Sequence, residues 1–416
     1  MARLLFVTSR LPYPPREGHQ LRSWNLLRAA ARKHRVDLLS LWRPGDPTRP
    51  CPELAAITDS VSCVRMPALG DPVAALGIAW RWLGTGQSLL SARYLCGRLR
   101  DAFCAQVREA DLVHLDILAV AGLMRDVPKT IPVVLNEHNV EHRLLSAHSD
   151  IEPRIVRAQL LRWRARELKH FERAACRGAT RVLACSDVDA RHLRELAPDA
   201  AIEVIANGVD LQRFMPRLPA NGDQRTLVFV GQMSWFPNRD GIADFIAHTL
   251  PLILKRYDAK LVVIGENGRM RAPPGMEDAV EFTGFIDDLR PRVLDAAVYV
   301  VPLRAGSGTR LKILEAMAMG KALVSTRIGA EGIGLIDGVD ALLADTPEDF
   351  AAAVCRLLED RTLRHRLGVA ARQTAEQRFG WEAIGDELLK VYEELLTEPL
   401  QQLSAAHDIR AAAFGG

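Results

Sequence analysis

Short runs of β-branched residues and leucine alternate with longer amphipathic stretches along the chain. In the first half RLLFVTS, RVDLLSLW, DLVHLDIL, IPVVLNEH and TRVLACS read as strands, and HQLRSWNLLRAAARK and SARYLCGRLRDAFCAQVREA as helices. After Asn207-Gly208-Val209-Asp210 and the polar stretch MPRLPANGDQ the alternation starts again. RTLVFVGQ, AKLVVIGE, VEFTGFID, AVYVVPL and KALVSTRIG read as strands, and NRDGIADFIAHTLPLILKRY and RLKILEAMAMG as helices. Nearly continuous apolar strands separated by helices predict parallel sheets with crossover helices. The expected fold class is α/β, with two open, doubly wound, Rossmann-like domains. The boundaries fall at 1–206 for the first domain, 207–224 for a linker, 225–379 for the second domain and 380–416 for a terminal helix and tail. Ligands of such sheets sit at the carboxyl ends of the strands, so function is expected in those loops, at a cleft between two domains.

Composition narrows the classes. The 416 residues are 48% hydrophobic and 25% charged, which excludes a disordered or low-complexity chain. Seven scattered cysteines without a C-x-x-C pair argue against a disulfide framework or a structural zinc site. The opening MARLLFVTSRLPYPP has too short an apolar run for a signal peptide, and no stretch approaches a membrane span. A cytoplasmic location is expected, with peripheral attachment at the inner membrane face as a further expectation. Residues 1–215 carry 31 Lys and Arg against 23 Asp and Glu, a surplus of eight, whereas the whole chain is only +3. A basic first half suggests anionic partners. Only 6% of residues are aromatic and no zinc-finger or RNP-like pattern occurs, so nucleic acid is not expected as a partner.

The chemistry-bearing residues cluster after strands. Gly18 precedes a helix, where a phosphate can approach backbone N–H groups, although a proline-rich loop with one glycine is more often just a turn. His138, in Glu137-His138-Asn139, ends a buried strand and suits a substrate oxygen; a structural histidine is the equal alternative. His138 and His142 have i,i+4 spacing without the H-E-x-x-H order or an obvious third ligand, so no metal is expected there. From Arg154 to Arg181 nine Lys and Arg stand against two Glu, with Trp163 among them. This segment is either a solvated helix face or a basic amphipathic helix on an anionic membrane. AALGIAWRWLGTG shows a similar apolar patch.

The clearest signal is VVPLRAGSGTRLKILEAMAMGKALVST (300–326). A buried strand runs into a glycine-rich loop and then a helix, whose N-terminal N–H groups join Arg310 and Lys312 as a diphosphate cradle. Glu315, one turn into the helix, suits two vicinal hydroxyls such as those of a ribose. The Walker order and G-x-G-x-x-G are both absent.

These residues resemble the retaining glycosyltransferases of family four, with the GT-B fold. The resemblance runs over nearly the whole chain, through the opening glycine loop, EHN, IANGVDLQRF, VFVGQMSWFPNRDGI, VVIGENG, FTGFIDD, GSGTRLKILEAMAMGKALVST and the late FGWEAIGDELLKVYEELL. HNVEH, MSWFPN and GSGTRLK further resemble sugar transferases of exopolysaccharide clusters, including the type associated with PEP-CTERM sorting systems. The resemblance implies transfer of a sugar from a nucleoside-diphosphate donor, with retention, onto a glycan or polyprenyl-linked acceptor. It implies no cofactor and no obligatory metal. Glu315 would bind the donor ribose, and Gly231, Arg310 and Lys312 would surround the diphosphate, with Ser307, Gly308 and Thr309 in the same loop. Gly265 would lie near the donor, Gly284 and Phe285 near the base, and Gly18 near the donor phosphate or the acceptor. His138 would touch the transferred sugar.

Two departures stand out. Eight positions before Glu315 the family often carries a second glutamate, and here Ser307 occupies that place. Where the family has a basic residue soon after the glycine at 231, this chain offers Asn238 and Arg239. An epimerase of the same fold would need acid/base carboxylates near the sugar, which Ser307 does not supply. A non-catalytic sugar-nucleotide scaffold or sensor is the alternative from a different class.

Overall fold

The computed structural model describes residues 1–15, 17–43, 46, 51–66, 76–80, 82, 88–217, 225–268, 270–305 and 310–397. The chain separates into two compact units. The first comprises Met1–Ser149, Pro153–Ala206 and the residues from Glu382 on; the second is Asn207–Trp381 with Asp150–Glu152.

The first unit is built on a seven-stranded sheet of order β3-β2-β1-β4-β5-β6-β7. Its strands are β1 (Arg3–Thr8), β2 (Arg35–Trp42), β3 (Ser60–Arg65), β4 (Leu112–Leu115), β5 (Val133–Asn136), β6 (Arg181–Ala184) and β7 (Ile202–Val204). All pair in parallel, with Leu4 opposite Val36 on one side and Leu112 on the other. Helices cover such sheets on both faces, which is why β4 and β5 are buried at every position. The strand order reverses between β1 and β4, so the crevice at their carboxyl ends is the natural ligand position of this sheet.

The helix Trp381–Thr397 belongs to this unit from Glu382 on. Its Tyr392 hydroxyl lies 2.8 Å from His114 Nδ1 on β4. Gly385 lets it lie against the helix Gly18–Ala31: a Cβ there would come within 2.9 Å of the Ala29 Cβ.

The second unit holds a six-stranded parallel sheet of order β10-β9-β8-β11-β12-β13. The strands are β8 (Thr226–Val230), β9 (Lys260–Ile264), β10 (Val280–Gly284), β11 (Val298–Val301), β12 (Leu323–Ser325) and β13 (Leu342–Leu343). Here the order reverses between β8 and β11. The helix Leu311–Ala318 follows β11 and buries Ile313, Leu314, Ala316 and Met317.

The α/β class and the parallel strands agree with the sequence expectation, and three local details differ. β3, β7 and β13 are edge strands whose mixed or very short patterns carry no clear apolar run. The helix expected over 91–110 breaks at Leu95-Cys96, where Cys96 is extended and caps the helix Gly97–Gln106. The helix expected over 238–257 contains a π-helical turn at Phe245–Thr249, just ahead of Pro251. Proline cannot donate the regular backbone hydrogen bond, so the ladder shifts register there.

Candidate functional site

Each unit gathers polar side chains at its own strand-order reversal. In the first, Asp116 follows β4 and is buried among apolar strands. Such a carboxylate needs partners, and it has them: Ser23 Oγ donates to it, and Asn136 Nδ2 donates at 2.7 Å. His138 Nε2 lies 3.4 Å from Asp116 Oδ1 and 3.2 Å from Asn136 Nδ2. Asn136 Oδ1 in turn accepts from Arg22 Nε at 3.1 Å and Nη2 at 2.8 Å, and Arg22 Nη1 donates to the Ala206 carbonyl at 3.0 Å. Burial alone would raise the Asp116 carboxyl, but the His138 and His114 imidazoles outweigh it and hold it well below the ordinary carboxylate range. Burial and the neighbouring His138 pull His19 down to about 4, so this imidazole is neutral at pH 7.

Gly18 is the exposed first residue of its helix. The helix is capped by Glu17, whose backbone N–H is held by the Gln20 side chain at 3.2 Å. Glu17 also receives Arg10 Nη1 at 2.7 Å.

His138 and His142 face different carboxylates. His142 Nδ1 meets Glu172, which also accepts from the Glu141 N–H at 2.7 Å. Glu141 is pushed up to about 7 by burial and by Glu172. Glu137, only 2% exposed, has no hydrogen-bond partner at either carboxylate oxygen among the described residues. Burial, reinforced by Glu172, drives its carboxyl well above the ordinary range. The folded chain therefore keeps a proton on Glu137 that the unfolded chain releases above about pH 4.3. Its contribution to stability is complete below that pH and falls as pH rises. Glu137→Gln removes this loss. In urea unfolding the variant is expected to gain stability relative to the parent as pH rises from 5 to 8. A difference independent of pH would overturn the assignment.

In the second unit Gly231, Gly265 and Gly284 meet at the carboxyl edge of β8, β9 and β10. Gly231 N–H donates to Ile264 O at 2.9 Å, and Gly265 N–H donates to Gly284 O at 3.0 Å. Gly265 has φ +133°, and a Cβ on it would lie 2.2 Å from the Gly231 carbonyl oxygen, so only glycine fits. The Asn238 amide donates to Gln232 O at 3.0 Å and packs where a Cβ on Gly231 would collide with it. Its role in the fold is thus to shape the loop after β8. Phe285, just past β10, is 62% exposed.

Lys312 and Glu315 form the charged centre of this unit's site. Lys312 Nζ donates to Glu315 Oε2 at 3.0 Å and to Oε1 at 3.2 Å. The Glu315 side chain is 6% exposed and that of Lys312 is 45% exposed, so the lysine forms the solvent-side half of the pair. Arg310 caps the same helix, and its Nη2 reaches Ile328 O at 3.4 Å. After β11, Arg304 is tied back by Asp244. Ser307, Gly308 and Thr309 lie outside the described residues.

The structure therefore brings Gly231, Gly265 and Gly284 into one edge, with Asn238 beside Gly231, and Lys312 onto Glu315. His138 belongs to the first unit, in a network the sequence reading did not include: Arg22, Ser23, Asp116 and Asn136. The available signal was a polar residue directly after an apolar parallel strand, at Asp116 as at Asn136. Among the described residues no group of three or more His, Cys, Asp or Glu side chains could hold a metal ion.

Comparison with known proteins agrees with both halves. Residues 16–213 match the family described as Glycosyltransferase Family 4, and residues 224–360 match Glycosyl transferases group 1. The chain is 32% identical over 333 residues to a D-inositol 3-phosphate glycosyltransferase of Nocardiopsis dassonvillei, covering 72% of this chain and 75% of that protein. A phosphatidyl-myo-inositol mannosyltransferase of Mycobacterium tuberculosis is 31% identical over 226 residues, covering 51% of this chain and 58% of that protein. Sucrose-phosphate synthase from Thermosynechococcus elongatus has a similar fold, with TM-score 0.72, 19% identity, and 94% of this chain and 99% of that one covered. Anabaena HepE in complex with UDP-glucose superposes with TM-score 0.66 at 16% identity, covering 95% of this chain and 100% of that one. With two parallel, doubly wound sheets and these relatives, the chain belongs to the family-four glycosyltransferases of GT-B fold.

Proposed function

We propose that this glycosyltransferase moves a hexosyl group from a nucleoside-diphosphate sugar, with retention and without an obligatory metal. The acceptor in this reading is a glycan or a lipid-linked glycan of exopolysaccharide or cell-surface polysaccharide synthesis, in the PEP-CTERM-associated manner, at the cytoplasmic side. The observation that carries it is the Lys312–Glu315 pair at the start of a buried helix. A donor exchanges partners there: the ribose hydroxyls take the Glu315 carboxylate, and the released Lys312 ammonium moves to the diphosphate. Arg310 and the helix N-terminus neutralise the same leaving group, the task a metal performs in other transferases. Gly231, Gly265 and Gly284 let backbone approach the donor, and His138 is assigned to the transferred sugar. Retention follows from same-face attack, in which the acceptor oxygen bonds to the anomeric carbon as the diphosphate leaves and takes the acceptor's proton. UDP-glucose on HepE supports a nucleotide-sugar donor, and the names of the relatives support glycosyl transfer.

The test is thermal unfolding with UDP, GDP, ADP and dTDP sugars, with and without EDTA, followed by release of the nucleoside diphosphate. A donor at a hundred times its Kd stabilises by about 2.7 kcal/mol. One base is expected to dominate, with a shift that survives EDTA and turnover with an acceptor. No shift with any sugar nucleotide would refute the donor site, and a shift without diphosphate release on any acceptor would favour a sensor.

A further inference from the structure

The helix Ile155–Gly178 turns two different faces to its surroundings. Ala158, Ala165, Leu168, Phe171, Ala175 and Cys176 pack into the first unit. Its two acidic residues are also directed at neighbouring chain: Glu167 accepts from the Leu89 N–H at 2.8 Å, and buried Glu172 accepts from Glu141. The outward face consequently holds no exposed Asp or Glu.

That face combines apolar and basic side chains. Its first turns expose large apolar side chains: Ile155 is 76% exposed, Val156 81%, Leu160 55% and Trp163 46%. Water against such a cluster is unfavourable, and a contiguous apolar patch of this kind marks a contact surface. Trp163 continues the patch sideways, because Trp82 stands edge-on to it with ring centroids 5.8 Å apart. The preceding turn adds Leu76, 76% exposed, and Trp80, 75% exposed. Arg157 and Arg162 are exposed among these apolar side chains, and beyond Trp163 Arg166, Lys169, His170 and Arg173 line a shallow groove. No described helix is long and apolar enough to cross a membrane.

We propose that this face is a docking surface for an anionic lipid bilayer. Ile155, Val156, Leu160 and Trp163 enter the acyl boundary, and the groove of Arg166, Lys169 and Arg173 takes lipid phosphates. The combination of exposed apolar and basic side chains argues for this occupant. A protein partner would need one complementary apolar-and-acidic surface, whereas a bilayer offers an apolar layer and an anionic layer side by side. Charge complementarity comes from the exposed charges of this face, which are all basic. The surface needs no sugar donor, so it stands or falls separately from the reading above.

The experiment is co-sedimentation of the full chain with vesicles of phosphatidylcholine alone, or with about a third phosphatidylglycerol. Binding at least about tenfold tighter to the anionic vesicles is expected, with loss on raising salt from about 0.1 M to about 0.5 M. Arg166→Glu with Lys169→Glu, and separately Leu160→Ser with Trp163→Ser, are each expected to weaken binding about tenfold. Unchanged circular dichroism and thermal midpoint show that the variants are folded; all four substituted residues are exposed, so this is the expected outcome. Equal binding to both vesicle types, or none to either, would overturn the proposal. So would a vesicle-independent dimer that the same substitutions dissolve, which would assign the face to a second copy of the chain.

Discussion

Glu315→Gln is expected to lower kcat/KM for the sugar donor about 10²–10³-fold while leaving the folded protein at least as stable as the parent. The carboxylate is buried and, among the described residues, paired only with a half-exposed lysine. Glutamine keeps the shape and removes the cost of holding a charge there, so stability does not suffer. The loss falls on binding. A carboxylate accepting two hydroxyls makes charge-assisted bonds of about 1.5–3 kcal/mol each, and the amide recovers only part of this. A ribose contact exists in the ground state and in the transition state alike, so the change belongs mainly in KM. Lys312→Ala should show the opposite division. It strands the buried Glu315 charge and lowers the thermal midpoint, and it removes charge from the departing diphosphate, so kcat falls. Steady-state kinetics with calorimetry on both variants separate the roles. An unchanged donor KM in Glu315→Gln would overturn the ribose assignment.

Asp116→Asn is the second large effect, with kcat expected to fall about 10³-fold. Asparagine offers Asn136 an amide where a carboxylate accepted, and it no longer holds the His138 imidazole by charge. The variant should also be less stable at pH 7, by about 1–3 kcal/mol for a buried network left partly unsatisfied. The sign with pH follows from the depressed folded-state carboxyl. Its stabilisation is full above the ordinary carboxylate range and is lost as pH falls through and below it. The stability gap between parent and Asp116→Asn is therefore expected to be widest near neutral pH and to close in acid. His138→Ala and the double variant complete a cycle: residues acting as one unit lose activity non-additively. Additive losses in kcat would show that Asp116 does not act through His138.

Much of this was legible in the chain. The parallel sheets follow from apolar runs such as LLFV and VVL, because a strand buried on both faces must be apolar at successive positions. Lys312 and Glu315 were each legible at the helix start, but their pairing was read only from the structure. The edge strands β3, β7 and β13 were not legible, because their mixed or very short patterns show no apolar run. The register shift ahead of Pro251 gave only the proline as its signal.

Local pattern alone sets the α/β class, the glycines at strand ends and the basic helix start after β11, all of them consequences of periodicity and backbone freedom. Only the tertiary structure decided that Arg22 grips Asn136, 114 positions away, and that Asp116 sits under His138. Those contacts exist because the sheet order sets β4 beside β1 and β5 beside β4, and strand order is a property of chain crossover that no local pattern encodes. The same holds for the Glu137 carboxyl, without a hydrogen-bond partner among the described residues, and for the outward direction of Trp163. Whether a side chain is buried depends on what packs against it from elsewhere in the chain.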